Sequence, residues 1–239
     1  GEPNPLCLAH GEAHDELTLY AVIGLSALLG EDSDEELWRV AARVKGWGRI
    51  HAVERLADAE DERIQNWLLR EGYRNTVGYE YTALTCANAG HLLGALEQEP
   101  VEPETLRSAG ELITALVDGY GITSAIDEYE DGARVLDRYV EIVEHATTAS
   151  LTVDELAALA VLESFLADKS VDLGTFTAPG WSSEFRERLQ RRCAALRARP
   201  SWRDVLGRAL RAEDFEQRER AARVLEQIDA SPAKPSSLR

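Results

Sequence analysis

Apolar residues recur at helical spacing along almost the whole of this chain, and strand-like alternation is nearly absent. In residues 15–29, leucines and branched side chains follow one another at intervals of three and four, and later segments repeat this period. Helix-start signals accompany the period, because Ser33 with Glu36 and Thr152 with Glu155 have the spacing of a capping box. The sequence therefore predicts an all-α protein of about eleven helices.

The predicted helices are separated by short turns. Gly72 and Gly119 mark two of the helix ends, and Pro103 fits a first helical turn, where its missing N–H costs nothing. The segments are 15–29, 33–44, 47–57, 61–72, 75–98, 103–118, 123–147 (one or two helices), 152–167, 182–198, 201–210 and 214–229. Between them, 171–181 contains a proline and two glycines and predicts an irregular connection, either a functional loop or a seam. The tail at 231–239 is expected to be disordered.

Composition limits the class of protein. The 239 residues are enough to bury a substantial core. The sequence contains no run of about 18 apolar residues, so it predicts no membrane span. The sequence does not begin with a cationic segment followed by an apolar one, as a secretory signal peptide would. Its three cysteines are widely spaced, which is typical of reduced thiols, so we expect a cytoplasmic protein. Because the sequence contains no methionine, we do not expect Gly1 to be the translational start.

The net charge of −17 is unevenly distributed. Residues 181–239 carry 14 Lys and Arg against 9 Asp and Glu, whereas residues 1–180 carry 12 against 34. An acidic body repels phosphate backbones, so nucleic-acid binding by the main surface is disfavoured. The basic C-terminal segment either contacts an anionic partner or pairs with the acidic remainder, and we favour the pairing.

Two segments repeat one pattern, in which an arginine is followed at +3, +4 and +7 by small or aliphatic residues. The residues are Arg49, Ala52, Val53 and Leu56 in the first segment and Arg218, Ala221, Ala222 and Leu225 in the second. A helix with a Trp-Arg pair precedes each segment (Trp38-Arg39 and Trp202-Arg203). In the turns, an acidic N-cap precedes an arginine by five or six residues, as Asp58 precedes Arg63 and Asp214 precedes Arg220.

These features resemble HEAT-like helical repeats, a family of paired antiparallel helices. The resemblance implies a curved α-solenoid in which aspartate and arginine side chains tie one repeat to the next. It is clearest in 34–72 and 201–229. On this basis we expect an acidic repeat body at 1–170, the irregular connection at 171–181, basic helices of the same solenoid at 182–230, and the tail at 231–239.

The stretch GWGRIHAVERLAD, residues 46–58, supports two interpretations. In the first, which we favour, Arg49 and Asp58 join repeats and the other polar side chains are ordinary neighbours. In the second, this helix and the next form one wall of a concave groove, because arginine with aromatic residues is the composition of binding hot spots. The residues of this candidate groove are Trp47, His51, Glu54, Arg63, Trp67, Arg70 and Arg74.

No pattern predicts a catalytic or metal site strongly. Cys7, His10 and His14 have ligand spacing, but Gly11 lies between the two histidines and reads as a helix stop. Acidic segments at 79–82 and 127–131 could supply catalytic carboxylates, and a solvated acidic face explains them better. We therefore expect no catalytic residue, no metal and no cofactor.

Two classes of function remain open. The first is a non-enzymatic scaffold whose concave surface binds a protein or peptide, and an acidic inner face would favour a basic partner. The second is a DNA-processing enzyme, since some HEAT-like proteins resemble glycosylases that excise alkylated bases. Such an enzyme needs a cationic concave face, which the charge of −17 disfavours. We favour the first class.

Overall fold

The computed structural model describes residues 34–123 and 125–230, apart from the side chains of 216 and 227–230. Within these ranges it contains eleven α-helices, a π-helical segment and a short 3₁₀ turn, and no strand. The all-α prediction is confirmed for this part of the chain. The predicted helix 15–29, the Ser33 cap, the Cys7, His10 and His14 set and the tail 231–239 lie outside the described residues.

The helices are numbered here in chain order. They are α1 (Asp34–Ala41), α2 (Gly46–Arg55), α3 (Glu62–Trp67, continued by π-helical Leu68–Gly72), α4 (Glu80–Ala89), α5 (Leu92–Glu97), α6 (Pro103–Asp118), α7 (Gly132–His145), α8 (Val153–Ala167), α9 (Ser183–Arg197), α10 (Trp202–Leu210) and α11 (Phe215–Ala230).

Several helices that are two positions apart in this order contact each other. In one row, α2 contacts α4, α4 contacts α6 and α6 contacts α8; in the other row, α5 contacts α7 and α7 contacts α9. The rows pack against each other through pairs such as α5 with α6 and α8 with α9, and α11 extends the first row by contacting α8. One continuous apolar core, from Leu37 to Val224, lies between the rows.

Local capping explains several helix ends. Thr152 and Glu155 form the predicted capping box at the start of α8, Pro103 occupies the first turn of α6, and Gly119 ends that helix. One cap differs from the prediction, because the acidic N-cap of α3 is Asp61 rather than Asp58. The Asp61 carboxylate accepts hydrogen bonds from the backbone N–H and the guanidinium of Arg63.

The helix predicted from residue 75 begins only at Glu80. Asn75 is buried, and its side-chain oxygen accepts hydrogen bonds from the N–H groups of Val77 and Gly78, both at 2.9 Å. Its amide nitrogen donates to the carbonyls of Tyr73 and Gly78. Asparagine thus offers the backbone an alternative to helix in this turn.

The irregular connection at 171–181 contains one 3₁₀ turn, Leu173–Thr175. Its aromatic side chains join the ends of two helices. The ring centroid of Phe176 lies 5.4 Å from that of Tyr120, which follows α6, and the ring centroid of Trp181 lies 5.4 Å from that of Phe185 in α9. The two loop rings also contact each other, with centroids 4.9 Å apart. Such aromatic pairs add to the apolar burial that holds the connection in place.

Candidate binding cleft

Three of the predicted groove residues lie on one exposed side of α2. Trp47 is 46 % exposed, and its ring meets the ring of Tyr81 edge to face at 5.4 Å. His51 and Glu54, one helical turn apart, are half-exposed, and the His51 Nδ1 lies 3.1 Å from the Glu54 carboxylate. Trp47 therefore contributes to an aromatic surface shared with α4, whereas His51 and Glu54 interact with each other.

Arg63 and Trp67 take part in contacts between helices. The Arg63 side chain binds the carboxylates of Asp61 and Glu35 and lies over the ring of Trp38. Trp67 is half-buried, and the guanidinium of Arg49 lies over its ring, 5.0 Å from the ring centroid. These contacts connect neighbouring helices at the start of the described chain.

Arg70 and Arg74 join the π-helical segment and the turn after it to α6. Arg70 binds the carboxylates of Glu102 and Glu104 at 2.6 and 2.9 Å. Arg74 donates to the carboxylate of Glu111 at 2.9 Å. The guanidinium charges of both arginines are thus compensated by nearby carboxylates.

An open cleft of about 480 Å³ lies where α4, α6, α8 and α11 meet, and we call it the central cleft. Its lining is Tyr79, Glu80, Gly110, Glu111, Thr114, Ala115, Asp118, Asp154, Ala157, Arg220, Arg223 and Val224. Small side chains on α6 and α8 leave the space, and polar side chains surround it. Of the predicted groove residues, Arg74 lines an adjoining depression that shares Tyr79, Glu111, Asp154 and Arg220 with the cleft.

Ion pairs run along one side of the central cleft. Glu111 on α6 accepts from Arg74 and lies 3.7 Å from Arg220, and Asp154 on α8 lies 2.8 Å from the same Arg220. Arg107 approaches Asp154 to 3.3 Å. The side chains of Glu111 and Asp154 are only 17 % and 12 % exposed, so these pairs are shielded from water more than surface pairs are.

Two further carboxylates also line the cleft. Glu80 begins α4, and Asp118 ends α6. Partial burial by the cleft walls raises the pKa of Asp118 above its ordinary value of 3.8, and the negative charge of Glu80 raises it further. Neither carboxylate forms an ion pair with a described residue. The cleft therefore has negative charge available for a cationic group.

The acidic segment 79–82, which contains Glu80, is a candidate from the sequence alone. The sequence does not predict that Glu111, Asp118, Asp154 and Arg220 lie together in one cleft. One signal was available, because Glu111 and Asp118 are seven positions apart and so lie on the same face of α6. The other members come from α8 and α11, which approach this face only in the folded chain.

Comparison of this chain with protein-family models, curated proteins and solved structures finds no match. Within the described residues, no group of three or more His, Cys, Asp and Glu side chains is arranged to hold a metal ion. In the same part of the chain, no helix has the length and apolar character needed to cross a membrane. The function must therefore be inferred from the chemistry of the central cleft.

Proposed function

We propose that this protein is a helical-repeat binding module, and that its central cleft holds a cationic segment of a partner protein. The repeat interpretation is supported by the side-by-side contacts of α2, α4, α6 and α8, since each module of a solenoid packs mainly on its neighbours. In such an arrangement, one row of helices offers its surface to a ligand.

One observation carries the proposal: four carboxylates from three helices line a single open cleft. They are Glu80, Glu111, Asp118 and Asp154. Glu111 and Asp154 already bind arginines, whereas Glu80 and Asp118 face the cleft without an ion pair to any described residue. A lysine or arginine side chain would relieve the repulsion between these two carboxylates.

An aromatic side chain beside Glu80 suits the same ligand. Tyr79 lines the cleft and is 40 % exposed. Aromatic faces attract ammonium and guanidinium groups and also contact the apolar parts of a peptide. The net charge of −17 would attract a basic partner over a longer distance.

The same charges disfavour the DNA-processing alternative. A cleft with four carboxylates repels a phosphate backbone, and the two arginines of α11 in its lining are opposed by twice that number of acidic groups. The proposed ligand is therefore a basic peptide segment rather than a nucleic acid.

The test is equilibrium binding of a fluorescein-labelled oligoarginine peptide, followed by fluorescence anisotropy at low salt. We expect the double variant Glu80→Gln, Asp118→Asn to weaken binding about tenfold, because each lost charge pair contributes up to about 1 kcal/mol. The matched control is Glu60→Gln, Asp58→Asn, which removes the same two charges at exposed positions outside the cleft. Similar affinities for the two variants would contradict the proposal.

A labelled DNA duplex, measured in the same buffer, addresses the alternative. We expect no retention of the duplex. Duplex binding that Arg220→Gln weakens would instead support a nucleic-acid ligand for this cleft.

A further inference from the structure

The last helix supplies a guanidinium to the central cleft. Arg220 of α11 lies 2.8 Å from the Asp154 carboxylate on α8 and 3.7 Å from the Glu111 carboxylate on α6. The side chain thus stands between two acidic residues of neighbouring helices and is 43 % exposed. A cationic side chain of the protein itself occupies one end of the cleft.

The helix that carries Arg220 has a narrow apolar contact with the rest of the protein. Among its described side chains, only Ala221 and Val224 are buried, and Phe215 at its start is 63 % exposed. By contrast, α8 buries eight residues. Apolar burial scales with contact area, so polar contacts carry an unusually large share of the attachment of α11.

The Arg220 contacts can be replaced by those of an equivalent external group. A guanidinium from a partner would form the same charge-assisted hydrogen bond with Asp154 and the same ion pair with Glu111, so the exchange leaves the number of ion pairs unchanged. While Arg220 stays in place, its positive charge repels an incoming cation and neutralises the carboxylates that would attract it.

We propose that α11 is an internal competitor for the central cleft: Arg220 occupies the position of a partner's arginine, and full engagement of a basic segment displaces it. This inference rests on the proposed function and adds its regulation. Anything that weakens the contact of Arg220 with Asp154 should open the cleft to the partner.

The experiment compares Arg220→Gln with Arg192→Gln in the full chain. Arg192 is the matched control, because it also bridges two carboxylates, Asp137 and Glu144, but lies on α9 outside the cleft. For the labelled oligoarginine peptide, we expect Arg220→Gln to bind about three- to fivefold more tightly than wild type, the factor that corresponds to one partly exposed ion pair. The control removes the same positive charge and also frees two carboxylates, so its affinity reports the effect of losing a bridging arginine outside the cleft.

Each outcome of the peptide titrations supports or rejects the internal competitor. Tighter binding by Arg220→Gln than by Arg192→Gln supports the internal competitor, including the case in which wild type does not bind at all. Equal or weaker binding overturns it. If Glu80→Gln, Asp118→Asn binds the peptide more weakly than wild type, while Arg220→Gln gives no gain over Arg192→Gln, the internal competitor fails and the proposed function stands. Absence of binding in every variant rejects both.

A second measurement uses the unaltered protein and does not depend on how Arg220→Gln folds. Saturating wild type with the peptide should accelerate backbone hydrogen exchange in 215–226 while α8 remains protected, since displacement frees α11 from its contacts. Unchanged or slower exchange in 215–226 at saturation would overturn the inference.

Discussion

The guanidinium of Arg49 lies over the ring of Trp67, 5.0 Å from its centroid, and donates hydrogen bonds to the carbonyls of Glu71 and Gly72. Arg49 is only 6 % exposed. A single side chain of α2 thereby binds the last turn of the π-helical segment, where carbonyls lack helical partners. Within the GWGRIHAVERLAD stretch, this residue connects two helices.

Arg49→Leu should therefore destabilise the protein strongly. The substitution keeps an apolar stem but leaves two carbonyls at a buried helix end without their donor, which corresponds to a loss of about 2–3 kcal/mol in the free energy of unfolding. Urea denaturation followed by circular dichroism measures it. Arg63→Leu is the control, since it removes the same charge from an exposed side chain; equal losses for the two variants would show that Arg49 is no more important than a surface arginine.

Gly110 and Tyr139 form a second testable contact. A Cβ at Gly110 would lie 2.6 Å from the Tyr139 hydroxyl, which is fully buried and has no hydrogen-bond partner in the described structure. Gly110→Ala should thus destabilise the protein by about 1–3 kcal/mol through overpacking. Adding Tyr139→Phe removes the hydroxyl oxygen that the new Cβ would meet, so the double variant should recover part of this loss. Tyr139→Phe by itself deletes only an unsatisfied polar group.

Thermal unfolding of both single variants and the double variant gives the coupling between Gly110 and Tyr139 directly. Gly94→Ala serves as control, because a Cβ there meets nothing within 4 Å and alanine stabilises helix α5 by about 0.5–1 kcal/mol relative to glycine. Additive effects of Gly110→Ala and Tyr139→Phe would mean that the two side chains do not collide.

The capping box of α8 predicts a further loss of stability. The backbone N–H of Asp154 donates to the Thr152 hydroxyl at 3.2 Å, and the Glu155 carboxylate accepts from the Thr152 N–H at 2.6 Å. Thr152→Ala removes one half of this exchange and should lower the free energy of unfolding by about 1 kcal/mol. Thr152→Ser keeps the hydroxyl and should change stability little; a loss as large as that of Thr152→Ala would point to the methyl group instead.

Asp118 predicts how binding depends on pH. Partial burial and the charge of Glu80 raise the pKa of Asp118, so this carboxylate takes up its proton at a higher pH than an ordinary aspartate. Affinity for the oligoarginine peptide should therefore begin to fall on acidification while ordinary aspartates are still charged. The peptide guanidiniums stay protonated throughout. In Asp118→Asn this early part of the decline should be absent, and an unchanged pH profile would exclude Asp118 from the binding surface.

The same shift has a consequence for stability. Because the folded-state pKa of Asp118 is raised, the folded protein holds this proton more firmly than the unfolded chain does, so stability contributed by Asp118 is present below pH 3.8 and is lost as pH rises through the raised pKa. Asp118→Asn should accordingly increase the melting temperature at neutral pH, while it weakens peptide binding. A lower melting temperature at neutral pH would contradict this sign.

Local signals in the sequence determined the secondary structure. Helical periodicity, the Thr152 and Glu155 capping box, Pro103 and Gly119 each act within one or two turns of chain, so they can be read without knowledge of the fold. Where the structure departs from a local signal, another local interaction explains the difference, because the hydrogen bonds of Asn75 replace the helical turn that the sequence predicts before Glu80.

Tertiary packing decided the central cleft. The sequence fixes that Glu111 and Asp118 share a face of α6, but it does not determine that this face meets Glu80 of α4, Asp154 of α8 and Arg220 of α11. Arg49 and Arg218 begin the same sequence pattern, with small or aliphatic residues at +3, +4 and +7. In the structure, however, Arg49 binds the end of another helix, whereas Arg218 binds carbonyls of the turn before its own helix. Periodicity specifies which side of a helix is apolar; the packing angles and the turns between helices decide which polar sides come together.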